Sequence, residues 1–411
     1  MDQYIEDDYE SHDEFADGNK KDMAKKMKTK DYGDDAPVEY DSIMSQLFER
    51  IEPGEGDEFA AVKPWLGAIK EPKSHPKPNK KAPDQEFVID WVYGYRSEEA
   101  RQNAAFNANG QAVYPTAALG VIFDYMNMTQ SYFGGGKTAK GGRKQTDNSS
   151  NSHSDDVTAM CISFDRTMVA SGQNGQQPLI FLWSAIDCSV IGQKRLPKGS
   201  RLVTAIGISP SKKFVCASDA AEKIAAYVFQ VDGDVNPIAS VNVNMKVVHL
   251  EYSPLDDNLF ATAGKDHVLI CHVSGANIKG QKGKSKSGSV TSQSSVAFSR
   301  SKKEICYTGG SDGKIYQWSN DQASKVYENN KGQVMSLACR LDDKIGELVI
   351  AGGADKTLSL YKVNGDNLQK LWTVDCAAAP RSVDLFKGRF LLGLKNGSLV
   401  DIPVSSDGSG R

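Results

Sequence analysis

Paired cysteines, paired histidines and long apolar runs are all missing from this chain of 411 residues. Its seven cysteines (Cys161, Cys188, Cys216, Cys271, Cys306, Cys339, Cys376) are scattered singly, with no Cys-x-x-Cys pair. That pattern predicts reduced thiols buried in the strands of an intracellular protein, not a disulfide framework. None of the six histidines has a second histidine at metal-ligand spacing. No nucleophile, base and orienting residue can be lined up either, so no catalytic residue, metal, cofactor or small-molecule substrate is expected. No stretch approaches the roughly 18 apolar residues that span a bilayer. The start, MDQYIEDDYE, has neither the basic residues nor the apolar core of a signal peptide. The formal net charge of −3 excludes a generic basic coat for nucleic acid. The expected setting is the cytoplasm, with no membrane and no nucleic acid as partner.

Residues 1–86 are built differently from the rest. Asp and Glu without a basic residue fill Met1 to Asp17, lysines crowd Lys20 to Lys30, and EPKSHPKPNKKAP follows from Glu71. Such composition buries too little apolar surface to offset chain entropy, which predicts a largely disordered arm. Two pieces stand out. YDSIMSQLFERI (40–51) sets Ile43, Leu47 and Ile51 on one helical face, and KPWLGAIKEP (63–72) holds Trp65 between prolines as a docking peptide.

From residue 87 onward a unit recurs. MVASGQ, FVCASD, LFATAG, ICYTGG, LVIAGG and FLLGLK are apolar runs that end in small residues, spaced roughly 42–46 residues apart. Each is followed by a turn and a second apolar run, such as LIFLW or LSLYKV. The turns combine Asp or Asn with Gly or Lys, residues that tolerate positive φ, as at Asp266, Asp312 and Asp355. AVYPTAALG followed by VIFDYM repeats the unit once more, so 87–133 is a divergent first blade and 153–404 holds six others. The fold expected is all-β, a seven-bladed WD-type β-propeller, with 405–411 as a tail.

The last unit lacks a final strand, whereas FVIDWVYGY (87–95) is spare at the front. That ribbon is expected to pair with the last blade and close the ring, because an open apolar edge invites aggregation. Alternation would set Trp91, Tyr93 and Tyr95 on one face of it as blade packing.

DWVYGYR, with Trp91, Gly94, Tyr95 and Arg96, then AVYPTAALGVIFD, YFGGG and HSDDVTAMCISFDRTMVASGQ, resembles the echinoderm microtubule-associated-protein-like family and its hydrophobic (HELP) motif. The resemblance covers about Phe87 to Val404. It implies a non-catalytic scaffold whose partners are tubulin or microtubules, in the cytoskeleton and by extension the cilium axoneme. It also implies that His153 bonds a turn aspartate as a buried structural pair. The family pairs two propellers. This sequence stops after one, at SSDGSGR, and is either a single-propeller member or a piece of a longer chain.

SYFGGGKT imitates a phosphate loop, but Ser131 stands where the first glycine belongs and no helix can follow, so an inter-blade insertion is expected. Basic residues in Gly/Ser-rich segments are the stronger partner-binding candidates: Lys137, Lys140, Arg143 and Lys144 after the first blade, and Lys279, Lys282, Lys284 and Lys286 before the fifth. As mobile cations they suit acidic tails and would weaken with salt. The rival function is a general WD-repeat adaptor for other proteins. The ligase-adaptor signature Trp-Asp-x-Arg is absent; repeats close with LWSAI and QWSND.

Overall fold

The last position but one of every second strand in blades 2 to 7 is small: Gly172, Ser218, Ala263, Gly309, Gly352 and Gly393. A computed structural model shows why. It describes residues 74, 89–134, 152–285, 290–329 and 331–404. A Cβ on Gly172 would lie 2.5 Å from Val203, one on Gly309 2.5 Å from Val334, and one on Gly352 2.7 Å from Pro380. Each of those neighbours opens the inner strand of the next blade. The small residue is therefore a hole, filled by the next unit's first side chain.

Seven antiparallel sheets result, with no helix among the described residues. They run Ala105–Phe133, Val157–Arg195, Val203–Asn242, Val247–Lys282, Gln293–Glu328, Val334–Asp375 and Pro380–Pro403, numbered here as blades 1 to 7. Blades 1 to 6 have four strands and blade 7 has three, in sequential order from the axis outward. Hairpin turns use positive φ where expected, as at Asp266 (54°) and Gly313 (79°). Apolar clusters lie between sheets; one joins Phe133 of blade 1 to Phe181 and Trp183 of blade 2, and Phe133 stacks on Trp183 at 5.0 Å.

The closing ribbon is a correction. Residues 89–95 form no strand, and among the described residues the outer strand of blade 7, Leu399–Pro403, pairs only with its neighbour Arg389–Leu394. The ring is sealed by side chains instead. Tyr95 fills the hole at Gly393, where a Cβ would fall 2.7 Å from its ring, so the leader does for blade 7 what Val203 does for blade 2. A second device also repeats. Thr158 Oγ1 donates to Val203 O at 2.8 Å and Ser336 Oγ to Pro380 O at 2.8 Å, and Ser382 Oγ donates to Ala104 O at 2.8 Å across the final seam.

Without a ladder partner the leader does not alternate. Tyr93 is 84% exposed, Tyr95 is buried and Trp91 half-buried, because Gly94 turns the chain at φ 96°. The three aromatics do not share a face. The arm 1–86 with its helix 40–51, docking peptide 63–72 and Trp65 lies outside the described residues (Ser74 apart), as do Lys137, Lys140, Arg143, Lys144, Lys286 and the tail 405–411.

Candidate partner-binding site

Three places in the ring carry more chemistry than packing needs. The first is the seam between blades 1 and 7, where the leader lies. Gln130, on the outer strand of blade 1, acts as a substitute strand: its Oε1 accepts from Val92 N at 2.9 Å and its Nε2 donates to Val92 O at 3.1 Å. Tyr132 Oη donates to Asp90 O at 3.1 Å, and Trp91 meets the Phe123 ring edge-on at 5.7 Å. Arg96 bridges to Asp156 of the segment entering blade 2 at 2.7 Å, and Thr116 Oγ1 donates to Gly94 O. Tyr93, Met126 and Met128 remain exposed on this side of the ring.

The second is the basic segment of blade 4, which differs from expectation. Asn277–Lys282 is the outer strand of the blade, not a mobile loop. Its glycines make room: a Cβ on Gly280 would meet Leu269 at 3.1 Å, and one on Gly283 would meet Trp318 at 2.7 Å. Lys279 and Lys282 are exposed but sit three residues apart on one strand, so they point to opposite faces. Lys284 pairs with Asp321 at 3.1 Å. The structure does not gather these lysines into one patch.

The third is the axis. A cavity of about 900 Å³ opens there among the inner strands, with Arg166, His249, Glu251, Arg300 and Arg340 in its wall. Beneath it Asp384, fully buried on the inner strand of blade 7, accepts from Phe106 N (2.9 Å), from both Arg166 amino groups (2.6 and 3.1 Å) and from Arg340 Nε (2.6 Å). Burial alone would raise its pKa, yet the Arg166 and Arg340 guanidiniums hold it well below the usual carboxylate range.

His153 is structural, with partners other than expected. Its Nδ1 bonds Gln173 Oε1 at 2.9 Å and its Nε2 bonds Ser171 Oγ at 2.7 Å; Trp183 Nε1 donates to the same hydroxyl at 3.0 Å. Gln173 Oε1 can only accept, so the proton sits on Nδ1. A turn aspartate is not needed, because the glutamine two residues beyond Ser171 reaches the ring first. Blade 5 repeats the set with Gln293, Thr308 and Trp318. Ser171, Trp183, Thr308 and Trp318 went unread in the sequence, although a hydroxyl residue 12 or 10 positions before a strand-ending tryptophan was there to be seen. Two turn aspartates serve locally, Asp312 accepting from Tyr316 Oη (2.6 Å) and Asp355 from Thr357 Oγ1 (2.8 Å), while Asp266 accepts from Ser292 Oγ (2.8 Å) of the segment entering blade 5.

Burial pushes His153 down to about 4 from its ordinary 6.5, with the Gln173 bond opposing. The unfolded chain therefore takes up a proton first as pH falls. Through His153 stability should drop between about 6.5 and about 4, by about 2 kcal/mol from pH 7 to pH 5, and His249, pushed down to about 4 by burial in the same way, should add a similar loss. Urea midpoints at the two pH values check this, and the drop should shrink in His153→Asn.

Among the described residues no three His, Cys, Asp or Glu side chains gather to hold a metal ion. Comparison with known proteins adds identity to this geometry. A HELP motif matches residues 82–121, the leader and first strands of blade 1, and a WD domain, G-beta repeat matches 145–184 in blade 2. The ciliary WD repeat-containing protein ctxp80 of Euplotoides octocarinatus is 36% identical over 409 residues, 96% of this chain and 54% of that protein. Echinoderm microtubule-associated protein-like 1 of Homo sapiens is 26% identical over 75% of this chain and 37% of its own length. The chain thus spans about half the length, or less, of these curated relatives. A chain in a crystal structure of the Mitotic Checkpoint Complex shares the fold, with TM-score 0.60 at 14% identity over 82% of this chain and 98% of that one. By its HELP motif, its WD repeat and its relatives, the chain matches the echinoderm microtubule-associated-protein-like family.

Proposed function

We propose that this protein is a non-catalytic scaffold that binds tubulin or microtubules through its HELP–WD propeller, in the cytoskeleton and in cilia. The observation that carries this reading is the alignment of nearly the whole chain with a ciliary WD repeat protein, joined to a HELP motif whose leader is part of the ring. The basic residues Lys137, Lys140, Arg143 and Lys144 supply an electrostatic tether to acidic tails, with Lys279, Lys282, Lys284 and Lys286 as a weaker second set. The opposed directions of Lys279 and Lys282 on their strand put the first group ahead.

Co-sedimentation of the full chain with microtubules tests this. Binding should be present at low ionic strength and fall as salt shortens the screening length to a few Å. Neutralising the four residues 137, 140, 143 and 144 together should weaken it several-fold and flatten its salt dependence. Absence of binding at low salt would leave the general adaptor as the better reading.

A further inference from the structure

At the axis of the ring two guanidiniums, Arg166 and Arg340, share one carboxylate, Asp384. Arg300, at the end of the inner strand of blade 5, and Arg340, on that of blade 6, both donate to one carbonyl oxygen, Cys339 O, at 2.7 and 2.9 Å. That shared acceptor sets two guanidiniums side by side, although like charges repel. Arg300 Nη2 reaches Glu251 at 3.3 Å and Arg340 Nε is taken by Asp384. Arg300 Nη1 and Arg340 Nη2 make no hydrogen bond to any described residue.

His249 stands in the same wall and accepts Val296 N–H at Nδ1 (3.1 Å), so its own proton is on Nε2. In the ion pairs here Asp384 is shared by Arg166 and Arg340 and Glu251 takes Arg300, while Glu347 accepts from the Arg300 backbone N–H at 2.8 Å. At the rim Asp342 and Asp343 balance Lys344 and Lys387. Cations withdrawn from bulk water are stable only when paired, and a guanidinium pair meets two oxygens of one anion well.

We propose that the axial cavity binds a small, doubly charged oxyanion of the phosphate class, held by Arg300 Nη1 and Arg340 Nη2 with His249 Nε2–H as a third donor. The cavity has room for inorganic phosphate or a small phosphorylated molecule. The site is separate from the basic segments assigned to the filament, and its test does not involve microtubules.

The full chain is titrated with inorganic phosphate, and separately with pyrophosphate, against chloride at matched ionic strength, reading melting temperature and heat. A saturable rise in melting temperature with either phosphate and not with chloride is expected. Response to inorganic phosphate marks a free-ion site, and response to pyrophosphate alone marks one built for a larger phosphoryl group. Arg300→Met should weaken binding roughly tenfold to a hundredfold, the loss of a charge-assisted bond, while Lys223→Ala, exposed and outside the cavity wall, leaves it unchanged. Should Arg300→Met fail to fold, Arg300→Lys keeps the charge without the fork, and weakening of about tenfold is expected. Phosphates that act no differently from chloride, or an affinity unmoved by the Arg300 variants, would overturn the assignment.

Discussion

Asp384→Ala is expected to lower stability by about 3–5 kcal/mol, more than any other single charge change in the ring. One carboxylate there ties four blades: its own blade 7, blade 1 through Phe106 N, blade 2 through Arg166 and blade 6 through Arg340. Its removal strands two guanidiniums and a backbone N–H in a site that water reaches poorly. Arg166 would keep its bonds to Phe106 O (2.8 Å) and Leu385 O (3.0 Å) but lose its counter-charge. Asp384→Asn keeps the shape and should lose less. Because the folded-state pKa is depressed, this contribution is present above the unfolded value near 3.9 and is lost as pH falls through the folded one. Thermal melts at neutral pH should show a fall of roughly 5–8 °C for the alanine variant.

Tyr95→Ala should do comparable harm by a different route. The side chain is buried between blades 1 and 7, meets Tyr114 edge-on at 6.0 Å, and its hydroxyl donates to Asn103 Oδ1. Truncating a buried aromatic of this size costs about 3–5 kcal/mol, the higher end where the surroundings cannot collapse. Collapse is hard here, because the hole is floored by the backbone at Gly393. Tyr95→Phe removes only the hydroxyl and leaves Asn103 Oδ1 without its donor, a loss of about 1–2 kcal/mol. Urea unfolding followed by tryptophan fluorescence separates the two variants.

Much of this architecture is legible along the chain. The small residues that end each apolar run, Gly172, Gly309 and Gly352 among them, mark the holes between neighbouring blades. The hairpin residues mark the turns, and the period gives the number of blades. What could not be read is who fills the last hole. Gly393 and Tyr95 lie at opposite ends of the ring's sequence, and a side chain that plugs a gap leaves no periodic trace. The ribbon 89–95 reads as a strand because it alternates, but its partner is the amide of Gln130, which no pattern reveals.

The candidate sites divide in the same way. Lys279 and Lys282 are visible as charge, yet glycines that look like flexibility are spacing for Leu269 and Trp318, and only coordinates distinguish the two. The axial arginines drew no attention in the sequence, since Arg166, Arg300 and Arg340 come from three different blades and meet only when the ring closes. The histidine set of blade 2 could have been found from Ser171 and Trp183, had hydroxyl-to-tryptophan spacing been sought.

The seal between the leader and blade 7 is tested most directly by a double-mutant cycle on Tyr95 and Gly393. Gly393→Ala alone should destabilise the ring by about 1–3 kcal/mol, because the new methyl group meets the Tyr95 ring. In the Tyr95→Ala background the same methyl has room, and the penalty should vanish or reverse, a coupling of at least about 1 kcal/mol. Additive losses, with Gly393→Ala equally harmful whether or not Tyr95 is present, would contradict a ring closed by this contact.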